Sequence, residues 1–222
     1  MLGMSYRPTA FAIDEYYHIY NRGNSKQIIF KTTSDYERFI CLLYLSNSER
    51  SFKIRDIGAQ DLFTVDMGKP IVSIGAYCLM PNHFHILIKP LAENGITTFM
   101  KKLSTGYAMY FNRKYERAGV LFEGKFKARY VDTDQYLKYL FAYIHLNPLK
   151  LIEPDWRKQG LMNISGAKEY LDRYKFSSYQ DFMKVNRKES VILDASRFPE
   201  YFPSPDSFLD ELKEWMSFEE QI

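Results

Sequence analysis

Three observations predict an α+β fold built on an antiparallel sheet. Short strand-like runs bounded by turn residues alternate with two longer stretches of helical spacing. The two strongest strand signals, residues 71–80 and 83–89, are separated only by Pro81-Asn82, so they pair as a hairpin. No low-complexity tract interrupts the 222 residues, and 46% hydrophobic and 17% aromatic content is ample for a core.

The elements follow in order. Tyr16–Arg22 reads as a strand that turns at Gly23-Asn24-Ser25. Ser34 or Asp35 is placed to cap a helix running to about Asn47, with Phe39, Ile40, Leu42, Leu43 and Tyr44 as its buried stripe. Residues 48–70 are polar, contain Gly58, Gly68 and Pro70, and read as an irregular connection with room for a short strand. Ile71–Met80 is the second strand, expected to turn Val72, Ile74, Ala76 and Cys78 to one face. In the third strand Phe84, Ile86 and Ile88 enter the core, so His83 and His85 share the opposite face.

Gly95–Arg117 has helical spacing, with Ile96, Phe99, Met100, Leu103, Tyr107, Tyr110 and Phe111 in one stripe and Gly119 as its stop. Phe126–Val131 alternates as a short strand with Lys125, Lys127 and Arg129 on its other face. Asp132, with Gln135 three residues on, marks the start of a helix that Pro148 stops. The order β-α-β-β-α-β is the ferredoxin-like pattern, followed by this additional helix. Beyond residue 150 the signals weaken to one helix near 165–173 and an aromatic, proline-rich, acidic end, so residues 1–150 are expected to form the functional domain and 151–222 an extension.

The net charge of +3 hides an uneven distribution. Lys101–Tyr130 holds eight Lys/Arg against two acids, whereas Pro199–Ile222 holds seven acids against one lysine. A basic middle points to a polyanionic partner, and the acidic tail is expected to be solvated. Cys41 and Cys78 lie in apolar runs and read as reduced core thiols of a cytoplasmic protein. Residues 1–12 lack a secretory pattern and no apolar run is long enough to span a bilayer, so no membrane partner is expected.

Two of the four histidines are His83 and His85. Neutral imidazoles one strand repeat apart suit a shared divalent cation, although an isolated pair more often has no metal. On the last helix, Tyr136, Tyr139, Tyr143 and Asn147 form one stripe and Leu137, Leu140 and Ile144 a neighbouring one. One stripe packs on the sheet, which lets a phenol and an amide oxygen one turn apart approach the histidine face. Tyr139 rivals Tyr143 for that place. His145 points away and reads as a packing or substrate-side residue, and His18 as structural.

Tyr17-His18-Ile19-Tyr20-Asn21-Arg22-Gly23, Met80-Pro81-Asn82-His83-Phe84-His85, Phe122-Glu123-Gly124-Lys125-Phe126-Lys127-Ala128-Arg129 and Tyr143-Ile144-His145-Leu146-Asn147-Pro148 together resemble the single-tyrosine HUH transposases, closest to the REP-associated tyrosine transposases. The resemblance covers about residues 11–150, with Ser177-Ser178-Tyr179 as an expected extension of it. It implies metal-dependent nicking and joining of single-stranded DNA with hairpin or inverted-repeat ends, by a monomer or homodimer. It also implies His83, His85 and Asn147 as metal ligands and Tyr143 as the nucleophile. His, His and an amide oxygen suit Mg²⁺ or Mn²⁺, although two imidazoles would also take Zn²⁺. Arg22, Lys101, Lys102, Arg113, Lys125, Lys127 and Arg129 are the candidate nucleic-acid contacts. Two other functions fit the same features: a non-catalytic nucleic-acid-binding module with aromatic platforms, and a metal-dependent phosphodiesterase that uses water.

Overall fold

The computed structural model describes residues 11–52, 54, 57 and 61–217. Strands Tyr16–Arg22 (β1), Val72–Met80 (β2), His83–Pro90 (β3) and Lys127–Val131 (β4) form one sheet in the order β2-β3-β1-β4. Every pairing is antiparallel. Helices Thr33–Leu45 (α1) and Gly95–Lys114 (α2) cover one face, and Asp134–Leu146 (α3) covers the other. This is the expected ferredoxin-like architecture with its additional helix.

On the α1/α2 face, Ile19, Phe84, Ile86 and Ile88 pack with Phe39, Leu43, Phe99 and Leu103. On the α3 face, Leu137, Leu140, Phe141 and Ile144 pack on Ala76, Cys78, Met80, Leu87 and Val131. The expected alternation of β2 is broken. A β-bulge between Ile74 and Ala76 shifts the register, so Val72 and Ile74 join Tyr77 and Leu79 on the α1/α2 side while Ala76, Cys78 and Met80 face α3. Gly75 occupies the bulge, where a Cβ would stand 2.7 Å from the Phe198 ring. The extra residue in one strand reverses which faces its neighbours occupy.

Helix boundaries also move from those read in the sequence. α1 begins at Thr33 after Thr32, and Asp35 serves the cap from inside the first turn by accepting from the Thr32 amide at 2.9 Å. α2 ends at Lys114, before Gly119. Thr133, not Asp132, caps α3, its hydroxyl accepting from the Tyr136 amide at 3.1 Å. No strand forms among the described residues of 48–70, where Leu62–Thr64 is a 3₁₀ turn. Residues 53, 55, 56 and 58–60 of that connection lie outside the described residues.

Chain beyond 150 packs on the sheet and on α3. Residues 176–178 pair with the open edge of β2, with Leu79 donating to Phe176 O at 2.9 Å and Ser178 to Tyr77 O at 3.0 Å. Unpaired sheet edges invite aggregation, and this segment covers one. Trp156–Gln159 (α4), Ile164–Arg173 (α5), Tyr179–Phe182 (α6) and Pro205–Ser217 (α7) follow. Phe208, Leu212 and Met216 of α7 pack with Ala142, Leu146 and Trp156. The acidic end is thus only partly solvated: Asp206 and Asp210 are exposed, but Glu211 pairs with Lys138 at 2.6 Å. Cys78 is buried, Cys41 is half-buried, and both are free thiols. Among the described residues no helix is long and apolar enough to cross a membrane.

Asp35 ties α1 to α2. Its side chain is fully buried and accepts from the amides of Lys31 and Thr32, from Tyr110 and Tyr115, and from the Lys114 ammonium at 2.7 Å. Burial by itself raises the carboxyl, but the donors, led by Lys114, outweigh it and hold the pKa at about 2. A depressed folded-state value means that the carboxylate stabilises the protein fully above about pH 4 and progressively less as pH falls towards 2. Asp35→Asn is expected to lower unfolding free energy by about 3 kcal/mol at neutral pH. In urea titrations the gap between variant and parent should narrow from pH 4 to pH 2; a constant gap would exclude this linkage.

Candidate active site

Strand register assembles the site. Across the sheet, His85 faces Tyr20, which faces Lys127, while His83 pairs with Arg22 and His18 with Arg129. All seven side chains therefore belong to the face that α3 partly covers. The Pro81-Asn82 turn is held by amides from another segment: Gly23 donates to Asn82 O and Ile29 to Pro81 O, both at 2.8 Å. This fixes the end of the hairpin that carries the histidines.

The imidazoles are held by their Nδ1 atoms. His83 Nδ1 donates to Asn82 Oδ1 at 2.6 Å, which leaves its Nε2 lone pair free. His85 Nδ1 lies 2.9 Å from His18 Nε2. The His83 and His85 ring centroids are 5.0 Å apart. Burial lowers all three: His83 to about 4, helped by Lys150 and Arg22; His18 to about 3, helped by Arg129; and His85 well below the usual value, helped by His18 and His83. They are neutral at physiological pH, so each keeps one ring nitrogen as an acceptor, for a hydrogen-bond donor or a ligand.

α3 brings Tyr143 to this group. Its ring meets His85 edge-on at 5.5 Å between centroids and His18 at 5.7 Å. Tyr139, the rival in the same stripe, packs on Trp215 at 4.5 Å. Asn147 ends α3 and is fully buried. Its amide nitrogen donates to Tyr143 O at 2.8 Å, whereas its Oδ1 is buried without a partner. Such an orphaned acceptor is costly unless a ligand completes it. Among the described residues no three His, Cys, Asp or Glu side chains group as a metal site.

Cations crowd the phenol. The Arg157 guanidinium lies 4.2 Å from the Tyr143 ring centroid and the Lys150 ammonium 6.0 Å. A cleft of about 320 Å³ joins Tyr143, His83 and His85 to Tyr20, Lys26 and Lys127. At its mouth Arg22 forms an ion pair with Glu123, whose backbone amide also donates to Arg22 O at 2.8 Å.

The sequence-derived basic residues divide between the two sides of the sheet. Arg22, Lys127 and Arg129 lie on the histidine face, where Arg129 also stacks 4.5 Å from the Tyr136 ring. Lys125 is exposed beside them, before β4. Lys101, Lys102 and Arg113 are on α2, across the sheet, and are not brought to this cleft. Lys102 is committed to the carbonyls of Ser48 and Arg50.

His18, Lys150 and Arg157 complete the group, beyond the site residues expected from the sequence. His18 carried a signal, since it lies two residues from Tyr20 on a strand facing β3. Lys150 and Arg157 carried none, because only the 3₁₀ turn at Asn147–Leu151 and the short α4 return them to the helix. His145 is a packing residue. It is fully buried, donates from Nδ1 to Phe141 O at 2.8 Å and accepts from the Ser178 hydroxyl at 2.7 Å.

Comparisons with known proteins agree with this architecture. No curated protein matches the chain significantly. A solved structure of a REP-associated tyrosine transposase bound to a REP hairpin is similar in fold, with a TM-score of 0.51 at 10% identity over 84% of this chain and 90% of the other. Residues 14–147 match the family model described as IS200-like transposase, a span that holds the whole sheet, both histidines, Tyr143 and Asn147. The chain therefore belongs to the IS200-like transposase family.

Proposed function

We propose that this chain nicks and rejoins single-stranded DNA, with Tyr143 as nucleophile and His83, His85 and Asn147 as ligands of one divalent cation, Mg²⁺ or Mn²⁺. The observation that carries this reading is the Tyr143 ring set edge-on against His85 within a single chain. That proximity supports catalysis in cis, by a protomer that supplies both the histidines and the tyrosine. Residues 1–150 would carry the reacting groups, and the 151–222 extension would add Arg157 beside them.

The donor set fits the cation. Two neutral imidazoles keep Nε2 lone pairs, and Asn147 Oδ1 is a buried oxygen without a partner. For His85 this requires the Nδ1–H tautomer, donating to His18. When bound, the cation supplies Lewis-acid polarisation of a non-bridging phosphate oxygen. The phenol oxygen of Tyr143 gives up its proton to solvent as it forms a bond to phosphorus, the bond from phosphorus to the 3′-oxygen breaks, and the leaving oxygen takes a proton from solvent. A 5′-phosphotyrosine and a free 3′-hydroxyl result, and attack by a second 3′-hydroxyl reverses the step without ATP. Lys150 and Arg157 favour the negative charge that develops on phenol and phosphate. Arg22, Lys125, Lys127 and Arg129 are suited to phosphates of the flanking strand. The related transposase is bound to a REP hairpin, and we propose hairpin-forming single strands as the substrate class here.

Tyr143→Phe keeps the ring and removes the nucleophile. Incubated with hairpin oligonucleotides and Mn²⁺, the parent should give a covalent protein–DNA species on a denaturing gel and the variant none. Cleavage that persists in the variant would instead identify water as nucleophile. His18→Phe should weaken Mn²⁺ binding about 10- to 100-fold by calorimetry, with His18→Gln restoring part of it through its amide acceptor; unchanged affinity would leave His18 a packing role. Binding of single strands should weaken steeply with salt, and Lys127→Ala should reduce the slope of log K against log salt by about 0.7. An unchanged slope would remove Lys127 from the phosphate path.

A further inference from the structure

A second cavity, of about 340 Å³, lies on the other side of Tyr143. Its walls include Tyr136 and Tyr139 of α3, Trp156 and Arg157 of α4, and Trp215 of α7. Tyr143 lines both this cavity and the histidine cleft, so the two spaces share one wall. Trp156 is 3% exposed, and its indole Nε1 is buried with no acceptor. The neighbouring Arg157 Nε is buried without an acceptor too. Flat aromatic walls beside two unanswered donors describe a ligand that has π-faces and an acceptor edge.

We propose that this cavity holds one unpaired nucleobase of the DNA strand, adjacent to the phosphate at Tyr143. A base offers π-faces for Tyr139 and Trp215, and carbonyl or ring-nitrogen acceptors for Trp156 and Arg157. It also arrives tethered to a phosphate, and the shared Tyr143 wall places a phosphate site next door. An apolar peptide side chain would fill the space yet leave both donors unanswered. Drawing one base aside would bend the strand and fix which phosphodiester meets the phenol, so this cavity would set the register of cleavage. The inference rests on the nicking activity proposed above, but its test does not depend on cleavage.

Both tryptophans of the chain line this cavity, so intrinsic fluorescence reports its occupancy. The full chain carrying Tyr143→Phe is titrated with single-stranded oligonucleotides of mixed sequence and with an abasic strand of equal length, while anisotropy of a labelled end reports binding. The expected result is tryptophan quenching by the base-containing strand, absence of quenching by the bound abasic strand, and about tenfold to hundredfold weaker binding of the latter. Trp156→Phe, which preserves packing but lacks the N–H, should weaken base-containing strands and leave abasic ones unaffected. Equal quenching by both strands, binding without quenching, or no binding at all overturns the proposal. Quenching without any covalent adduct in the parent protein keeps the base pocket and removes the nicking reading; an adduct without quenching does the reverse.

Discussion

Burial of Leu137, Leu140 and Ile144 against Ala76, Cys78, Leu87 and Val131 is the constraint on which the site depends. Each such side chain contributes about 2 kcal/mol by leaving water, so the rotation of α3 about its axis is set by packing and not by the site. Once that stripe is down, the neighbouring one, with Tyr136, Tyr139 and Tyr143, must look along the sheet. Tyr143 then meets His85 because the same sheet face presents β3. The bulge at Gly75 belongs to this constraint: it turns the small residues Ala76 and Cys78 towards α3 and lets the helix approach β2 closely.

Charge distribution follows a related logic. Three buried imidazoles are kept neutral by desolvation and by cations placed around them, including Lys150, Arg22, Arg129 and Arg157. Among the described residues that line the cleft, Glu123 is the single carboxylate. It is committed to Arg22 at the mouth of the cleft. The field therefore favours an anion supplied from outside, which is the electrostatic requirement of a phosphodiester substrate.

Much of this was legible in the sequence, and the failures have particular causes. The order of strands and helices followed from periodicity, and the four motifs carried the family, because residue types at fixed spacing survive without knowledge of packing. The alternation of β2 misled, since a bulge changes the period for one residue and nothing local in Ser73-Ile74-Gly75-Ala76 forces it; the Phe198 ring that needs a glycine there is more than a hundred residues away. The basic run from Lys101 to Arg129 read as one surface but is divided by the sheet itself, because α2 and β4 belong to different layers. His18 reads as structural in the sequence because its partner His85 is defined only by the strand register, which pairs His18 with Leu87 across β1 and β3.

The extension beyond residue 150 was the least legible part, yet its placement follows from what the four-stranded unit lacks. β2 is an edge strand buried on both faces, and its outer hydrogen-bonding groups need partners; residues 176–178 supply them. The outer surface of α3 exposes Ala142 and Leu146 unless something covers them, and α4 and α7 do so through Trp156, Phe208 and Leu212. Those two helices cannot reach α3 without approaching the tyrosine stripe, so covering an apolar face also walls the space beside Tyr143 with Trp215, Trp156 and Arg157. A purely structural demand thereby brings a guanidinium to within 4.2 Å of the phenol ring centroid, so the extension lends a side chain to the site proposed on the shorter motif-bearing segment.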